Sequence, residues 1–475
     1  METELVKPNL KNFIKSLRDV GYTFEIAIAD ILDNSISANA TEVKIYTVPK
    51  PELVFYMLDN GSGMYDNELL EAMRLATKNP DDERDKKDLG RFGLGLKTAS
   101  FSQCKKLTVI SKKDNQLSIK QWDLDYISEV NEWELITPEI NTYQDIPFFN
   151  ELSSSKSGTL VIWEKIDKYK QDTFSHKVEK LNSHLSLVFH RFLEGSDSFT
   201  RLKISVNGNY LKPFDPFNSN HDATFEQSPE IINFYGSNIK ITSFILPHHK
   251  NLSREEWDRF GTEDGYIKSQ GFYLYRANRL LIYGTWWGLH KASDAHKLVR
   301  IKIDISNSQD GYWGIDIKKS TANPLPELKK DLKRIIQKVT KDGFKPFSTR
   351  GRKINDKTTT RFWTIVPDHD GFHFGVNKEH PIYIKLIESL PEENKDLFNS
   401  YLKGLQAYLP LESIQHQLQQ NPHHIKQENL LTDNDKKELF IKLKNLGFDK
   451  KYIESLLKTE LYKNHEELFD ANEFI

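Results

Sequence analysis

The apolar positions of this chain switch between two spacings, and the switches outline its elements. Ile28, Ile31, Leu32 and Ile36 recur at helical intervals around the stretch Ala29–Ala40 (ADILDNSISANA), which predicts an amphipathic helix. On that helix Asp30 and Asn34 stand one turn apart, a carboxylate beside a carboxamide. An unbroken apolar run from Leu53 to Leu58 predicts a buried strand, closed by Asp59 and by Gly61 and Gly63, a tight turn able to approach a ligand closely. Further strands are expected in LTVISKK (107–113), LSIKQWDL (117–124) and GTLVIWEKI (158–166), suited to one sheet backed by helices. Val178, Leu181, Leu185 and Phe189 give residues 176–193 the spacing of a packing helix.

A second, β-rich region is expected to begin near Leu202 with LKISVNGNYLKPFDPF. It continues through NIKITSFIL (238–246), GFYLYRANRLLIYG (271–284) and VRIKIDI (299–305), and a helical run, LPELKKDLKRIIQKVTKDG, follows. GIDIKKSTANPLP (314–326) reads as a strand that ends in Lys318 and Lys319 before that helix. Alternation along a strand sends these two lysines to opposite faces. Residues 380–390, 397–409 and 435–461 read as amphipathic helices, a candidate dimerisation or partner-docking module. The expected organisation is thus α/β, an α+β sandwich over 1–200, a β-rich domain over 201–345, and a basic linker with helices over 346–475.

Composition narrows the function classes without choosing one. Hydrophobic residues at 38% allow real cores, while no apolar run approaches a membrane span and the start METELVKPNLKNF is polar, so no membrane association and a cytoplasmic location are expected. The single cysteine, Cys104, excludes an internal disulfide and reads as a small buried thiol. A net charge of -2 gives no global pull toward nucleic acid. The local basic stretch Ser348–Arg361 is a candidate contact to DNA phosphates, although charge runs are more often solvated surface. His416, His423 and His424 lie in a Gln/Asn-rich segment with no cysteine, so surface histidines are the preferred reading.

The candidate chemistry lies in a third glycine-rich stretch together with the first two. Leu89–Ser100 (LGRFGLGLKTAS) precedes helix-forming residues, so its backbone amides can bind phosphate at a helix start. It is preceded by the polar segment 77–89, which reads as a mobile lid or a solvated loop. The GxxxxGK[ST] run of a P-loop is missing from the chain. Taken singly, Asn34 is an ordinary helix-surface amide and DNGSG an ordinary turn. Their order and spacing carry the signal.

In that order the motifs resemble the GHKL ATPase superfamily of gyrase, MutL, histidine kinases and the ninety-kilodalton heat-shock chaperone, with a Bergerat-type ATP-binding domain. The resemblance implies ATP and Mg²⁺ as cofactors. It makes Asp30 the residue that activates water, Asn34 the magnesium ligand, and Asp59 the acid that recognises the adenine amino group. Gly61, Gly63 and Met64 match the turn beside that acid. Gly90, Gly93, Leu94, Gly95, Leu96 and Lys97 match the phosphate-binding lid and its exit, and Thr159 an adenine-side contact. The second region resembles the transducer domain that delivers a lysine to the γ-phosphate; Lys319 is the first candidate and Lys318 the second. Asp30 departs from the family's usual glutamate, and Glu25 and Asp33 are its rivals as base. Overall the chain is most similar to prokaryotic MORC-like, MutL-related proteins. These imply homodimerisation on ATP binding, a nucleic-acid-related role and partner proteins of a restriction-like or antiphage defence system. The signature of MutL endonucleases (DQHA with an ExxxxE run) is missing, so no nuclease activity is expected. The alternative reading is a non-hydrolysing nucleotide sensor or a chaperone-like remodeller.

Overall fold

The computed structural model describes residues 3–4, 9–75, 95–171, 174–195, 200–262, 265–316, 318–343, 359–368, 371–420, 430–447 and 449–463. The chain divides into two compact units, the first built from 1–246, 260–293 and 297–339 and the second from 247–259, 294–296 and 340–475.

The first unit opens with α1 (Leu10–Arg18) and α2 (Phe24–Ser37), the latter started by the Thr23 side chain. Strands β1 (Glu42–Val48) and β2 (Val54–Asp59) follow, then α3 (Asp66–Met73) and α4 (Gly95–Gln103). Next come β3 (Cys104–Lys113), β4 (Gln116–Asp123), α5 (Leu124–Val130), α6 (Phe149–Ser154) and β5 (Gly158–Ile166). The helix expected over 176–193 is two: α7 (Phe174–Val188) and α8 (His190–Glu194), parted at Phe189. From α8, Arg191 reaches Asp304 at 2.5 Å and lies over the Tyr275 ring.

These strands form a seven-stranded sheet in the order β4-β3-β5-β2-β1-β6-β7, with β6 (Lys203–Val206) and β7 (Asn209–Tyr210) at one edge. All pairings are antiparallel except β1 with β6. Residues 203–206, expected to open the second region, therefore complete the first sheet. β2 is apolar at successive positions because both its faces are covered. Phe55 and Met57 join the core under α2 (Phe24, Ala27, Ile28, Ile31, Leu32). Tyr56 and Leu58 join the opposite core with Leu152 and Phe149 of α6. Cys104 sits fully buried where α4 passes into β3.

The same unit carries a second sheet in the order β12-β11-β13-β10-β8, with β9 on β10. Its strands are β8 (Phe225–Glu226), β9 (Glu230–Phe234), β10 (Ser237–Ile245), β11 (Gly271–Arg276), β12 (Arg279–Thr285) and β13 (Val299–Ile305). The last three and β10 fall on the segments read as strands. The helix Pro326–Gly343 follows, burying Leu328, Leu332, Ile335, Ile336 and Val339. Residues 314–316 and 318–319 are not a strand. The Asp316 carboxylate instead accepts from the Ser320 and Thr321 amides at 2.7 and 3.0 Å, and Lys319 adopts a positive φ of 54°. A side chain that captures its own downstream amides competes with the ladder and makes a turn.

In the second unit β14 (Trp363–Asp368) pairs antiparallel with β15 (Gly371–Val376). Helices Asp433–Asn445 and Lys450–Leu457 bury Phe440, Leu443 and Leu456 with Leu461 and Tyr462. Among the described residues no helix is long and apolar enough to cross a membrane. Residues 348–358 of the basic stretch, with His423 and His424, lie outside the described residues; His416 is on the helix Leu411–Gln420.

Candidate active site

Helix α2 supplies the centre of the site. Asp30 points into the protein and is 2% exposed, whereas Asn34, one turn on, is exposed. The Asn34 amide nitrogen donates to the Asp30 carbonyl at 3.3 Å. That bond leaves the amide oxygen as a hard acceptor facing outward, the type of single donor that a Mg²⁺ retaining most of its waters can use. The residues present therefore fit such an ion at Asn34.

Both oxygens of the Asp30 carboxylate are engaged. Oδ2 accepts from the Tyr22 hydroxyl at 2.8 Å, and Oδ1 faces the Lys319 ammonium at 3.0 Å. Lys319 also donates to Asp33 Oδ2 at 2.6 Å, and the other Asp33 oxygen accepts from Arg279 Nε at 2.6 Å. Asp33 is thus a buried structural acid rather than a solvated one. Burial pushes the Asp30 carboxyl above its usual range; Lys319 opposes that rise, while the Asp33 charge adds to it. Burial, and then the Asp30 charge, raise the Tyr22 phenol as well. Lys318, the second lysine candidate, lies apart from the carboxylates. Its Nζ would stand 3.6 Å from a Cβ built on Gly21. Glu25 is half-buried in the first turn of α2, a turn and more from Asp30.

The far end of the site is built by β2 and β5. Asp59 is paired in register with Thr159 and is 5% exposed. Its oxygens accept from the Ser35 hydroxyl at 2.8 Å and the Gly61 amide at 2.9 Å. Burial raises the Asp59 carboxyl, against the Gly61 amide, the Ser35 hydroxyl and the Thr159 amide, which favour the ionised form. The Met64 amide donates to Ser111 Oγ at 2.9 Å, and that hydroxyl lies 2.9 Å from Thr159 Oγ1, so the turn and β5 are joined through Ser111. Gly63 has φ 64°, and a Cβ there would fall 1.8 Å from the Lys112 carbonyl oxygen. Gly63→Ala is therefore expected to destabilise the fold by about 1–3 kcal/mol through overpacking, read from a denaturant unfolding curve against wild type.

Of the glycine-rich stretch, Gly90, Gly93 and Leu94 lie outside the described residues, as does the segment 77–89 read as a lid. Gly95 and Leu96 open α4, and a Cβ on Gly95 would sit 3.7 Å from Asp30 Oδ2, so α4 starts beside the carboxylate. Lys97 is buried and its ammonium donates to the Ala72 carbonyl at 2.8 Å, near the end of α3. Four residues of this neighbourhood had no distinguishing mark in the sequence: Tyr22, Asp33 as an ion-pair partner, Arg279 and Ser35. Asp33 and Ser35 flank Asn34 on the motif helix, where a motif draws attention to them, but nothing in the sequence marks the partners they find.

A mixed sheet backed by α2, α4 and α7, with an acid and an amide one turn apart and a second acid ahead of two glycines, defines a class. Residues 22–159 match the family model described as histidine kinase-, DNA gyrase B-, and HSP90-like ATPase, so this segment is similar to the GHKL-type ATPase domain. A stretch of the chain is similar to ATPase MORC2B of Mus musculus, 31% identical over 99 residues, 19% of this chain. That stretch spans only 9% of the mouse protein.

Proposed function

We propose that the chain is an Mg²⁺-dependent, ATP-hydrolysing clamp or switch. The observation that carries this reading is the contact of Lys319, from the turn after the second sheet, with Asp30 at 3.0 Å, beside Asn34. One residue set for phosphoryl transfer thereby draws on two sheets of one compact unit. In this reading Asp59 accepts from the adenine amino group, with Gly61, Gly63, Met64 and Thr159 around the base. Asn34 supplies an oxygen to Mg²⁺, which would neutralise charge on the phosphates. The amides of residues 93–97 bind the phosphates; Lys97, turned to Ala72 here, joins them only by changing partner. Asp30 orients the attacking water, and Lys319 stabilises charge developing on the transferred group.

Lys319 cannot serve both roles at once. While its ammonium holds Asp30 Oδ1 and Asp33 Oδ2, the base is neutralised and the lysine is spent. A γ-phosphate competing for the lysine would free Asp30 as it recruits Lys319, so nucleotide binding and activation become one event. The β-rich region after the first sheet acts as transducer, and the N-terminal arm ahead of Tyr22 as the segment exchanged in a nucleotide-dependent homodimer. Contact with DNA through Ser348–Arg361, and service in a defence system, complete the reading. The engagement of both Asp30 oxygens favours a second reading, a sensor that binds ATP without hydrolysing it.

Steady-state hydrolysis with Mg²⁺, with and without double-stranded DNA, separates the two. Wild type is expected to turn over ATP, and Asn34→Ala to lower kcat on the order of 10²-fold, the scale of a lost metal-site partner. DNA stimulation would support the clamp on nucleic acid. Tight ATP binding without turnover in wild type would sink the hydrolase and leave the sensor.

A further inference from the structure

We propose that Tyr22 is a positioning residue for the base, its hydroxyl and the short Asp30 side chain forming a size-matched pair that does the work of one longer acid. This rests on the hydrolytic reading of Asp30. Tyr22 lies in the turn just before α2 and is buried, with its hydroxyl 2.8 Å from Asp30 Oδ2. The Thr98 side chain, on α4, hydrogen bonds to the same hydroxyl. The carboxylate is therefore held from the side on which α4 begins, with Gly95 close to that same oxygen. Its other oxygen faces Lys319. With Oδ2 held, the plane of the carboxylate is set, and Oδ1 is the oxygen released to water when the lysine withdraws.

The same geometry explains why an aspartate suffices here. A glutamate at residue 30 would carry its carboxyl about 1.5 Å further along the side chain, one C–C bond length. An advance on the Oδ2 side meets the Tyr22 oxygen, already at hydrogen-bonding distance. An advance on the Oδ1 side meets Lys319. A phenylalanine at residue 22 would lack that oxygen, and the gap it leaves is close in size to the methylene that glutamate adds. Each single change is then mismatched, one underpacked and unanchored, the other overpacked. The pair of changes restores the fit.

The test is a double-mutant cycle of Tyr22→Phe and Asp30→Glu on the full chain, reading kcat, KM for ATP, ATP affinity and melting temperature. Tyr22→Phe is expected to lower kcat on the order of tenfold with KM and affinity nearly unchanged, as for a misplaced catalytic group. Asp30→Glu alone should lose about as much, and the double variant should regain turnover to within about threefold of wild type, a coupling that independent sites do not show. Unchanged kcat in Tyr22→Phe, or losses that multiply in the double variant, would overturn the pairing. Should Tyr22→Phe fold poorly, Asp30→Glu decides alone: turnover equal to or above wild type with the tyrosine present overturns it. Failure of wild type to hydrolyse ATP overturns the pairing together with the hydrolase. Turnover that is lost in Asn34→Ala but unmoved by Tyr22→Phe overturns the pairing only.

Discussion

Asp30→Ala is expected to lower kcat by about 10²–10⁴-fold, the range general base catalysis supplies, while ATP binds within a few-fold of wild type. The separation follows from where the groups sit. Asp59, Gly61 and Thr159 at the far end of the site hold one another through β2, β5 and the turn, and none of them bonds to Asp30. Removing the carboxylate takes away the group that would orient water and leaves the adenine end intact. It also frees Lys319 from one of its two acceptors, leaving Asp33 at 2.6 Å. That change favours departure of the lysine and so cannot itself account for lost turnover. Equilibrium binding of a fluorescent ATP analogue, beside single-turnover hydrolysis, reads the two quantities apart. Turnover that survives at the wild-type rate would remove Asp30 as the base, and Glu25, half-buried a turn and more away, is too remote to inherit the role without rearrangement of α2.

What could be read from the chain beforehand, and what could not, divides along the range of the interactions. The Asp30–Asn34 pair, the Asp59–Gly61 turn and the apolar β2 strand are local: five residues of helix, three of turn, six of strand. Periodicity and backbone chemistry suffice for them. Lys319 lies 289 residues from Asp30, with Lys318 beside it, and only the family resemblance links either to that carboxylate; the structure brings Lys319 to the carboxylate and leaves Lys318 aside. The route to that contact is a turn, where the sequence pattern predicts a strand. An alternating apolar pattern over 315–319 suggested a strand, but Asp316 spends its carboxylate on the next amides and turns the chain, so Lys319 is delivered by a left-handed turn residue. Residues 203–206 look like any short strand, and nothing local distinguishes the opening of a new sheet from the completion of an old one. Tyr22, Arg279 and the pairing of Asp33 were invisible for a different reason. Each is an unremarkable residue whose meaning comes entirely from a buried partner.

The largest effect on stability is expected from Asp33→Ala, about 3–5 kcal/mol, the cost of leaving one partner of a buried ion pair alone. The neighbourhood holds two carboxylates, Asp30 and Asp33, and two cations, Arg279 and Lys319, so its charges balance. His184, close to Arg279, does not upset the balance, because burial and then the guanidinium push it down to about 3 and it is neutral at pH 7. Deleting Asp33 leaves two cations against Asp30. Arg279, its side chain 4% exposed, keeps the Leu280 carbonyl at 3.2 Å and a place over the Phe189 ring at 5.3 Å, neither of them an anion. A chaotrope titration of wild type and variant measures the difference. Its interpretation depends on a second variant, in which Asp33→Leu is combined with Arg279→Met. Replacing both partners by apolar side chains keeps the remaining Lys319–Asp30 pair balanced, and such replacements are often neutral or stabilising. Recovery of stability in the double variant would therefore locate the cost in the stranded guanidinium rather than in lost packing. The same variant carries a functional consequence. With Asp33 gone, Lys319 has Asp30 alone to hold it, so stability can return while the lysine is released more readily to nucleotide. If both variants are equally unstable, the ion pair is not what ties β12 to α2, and the coupling of the two sheets must rest on apolar packing such as that of Leu187 on α7 in one cluster with Leu280 of β12.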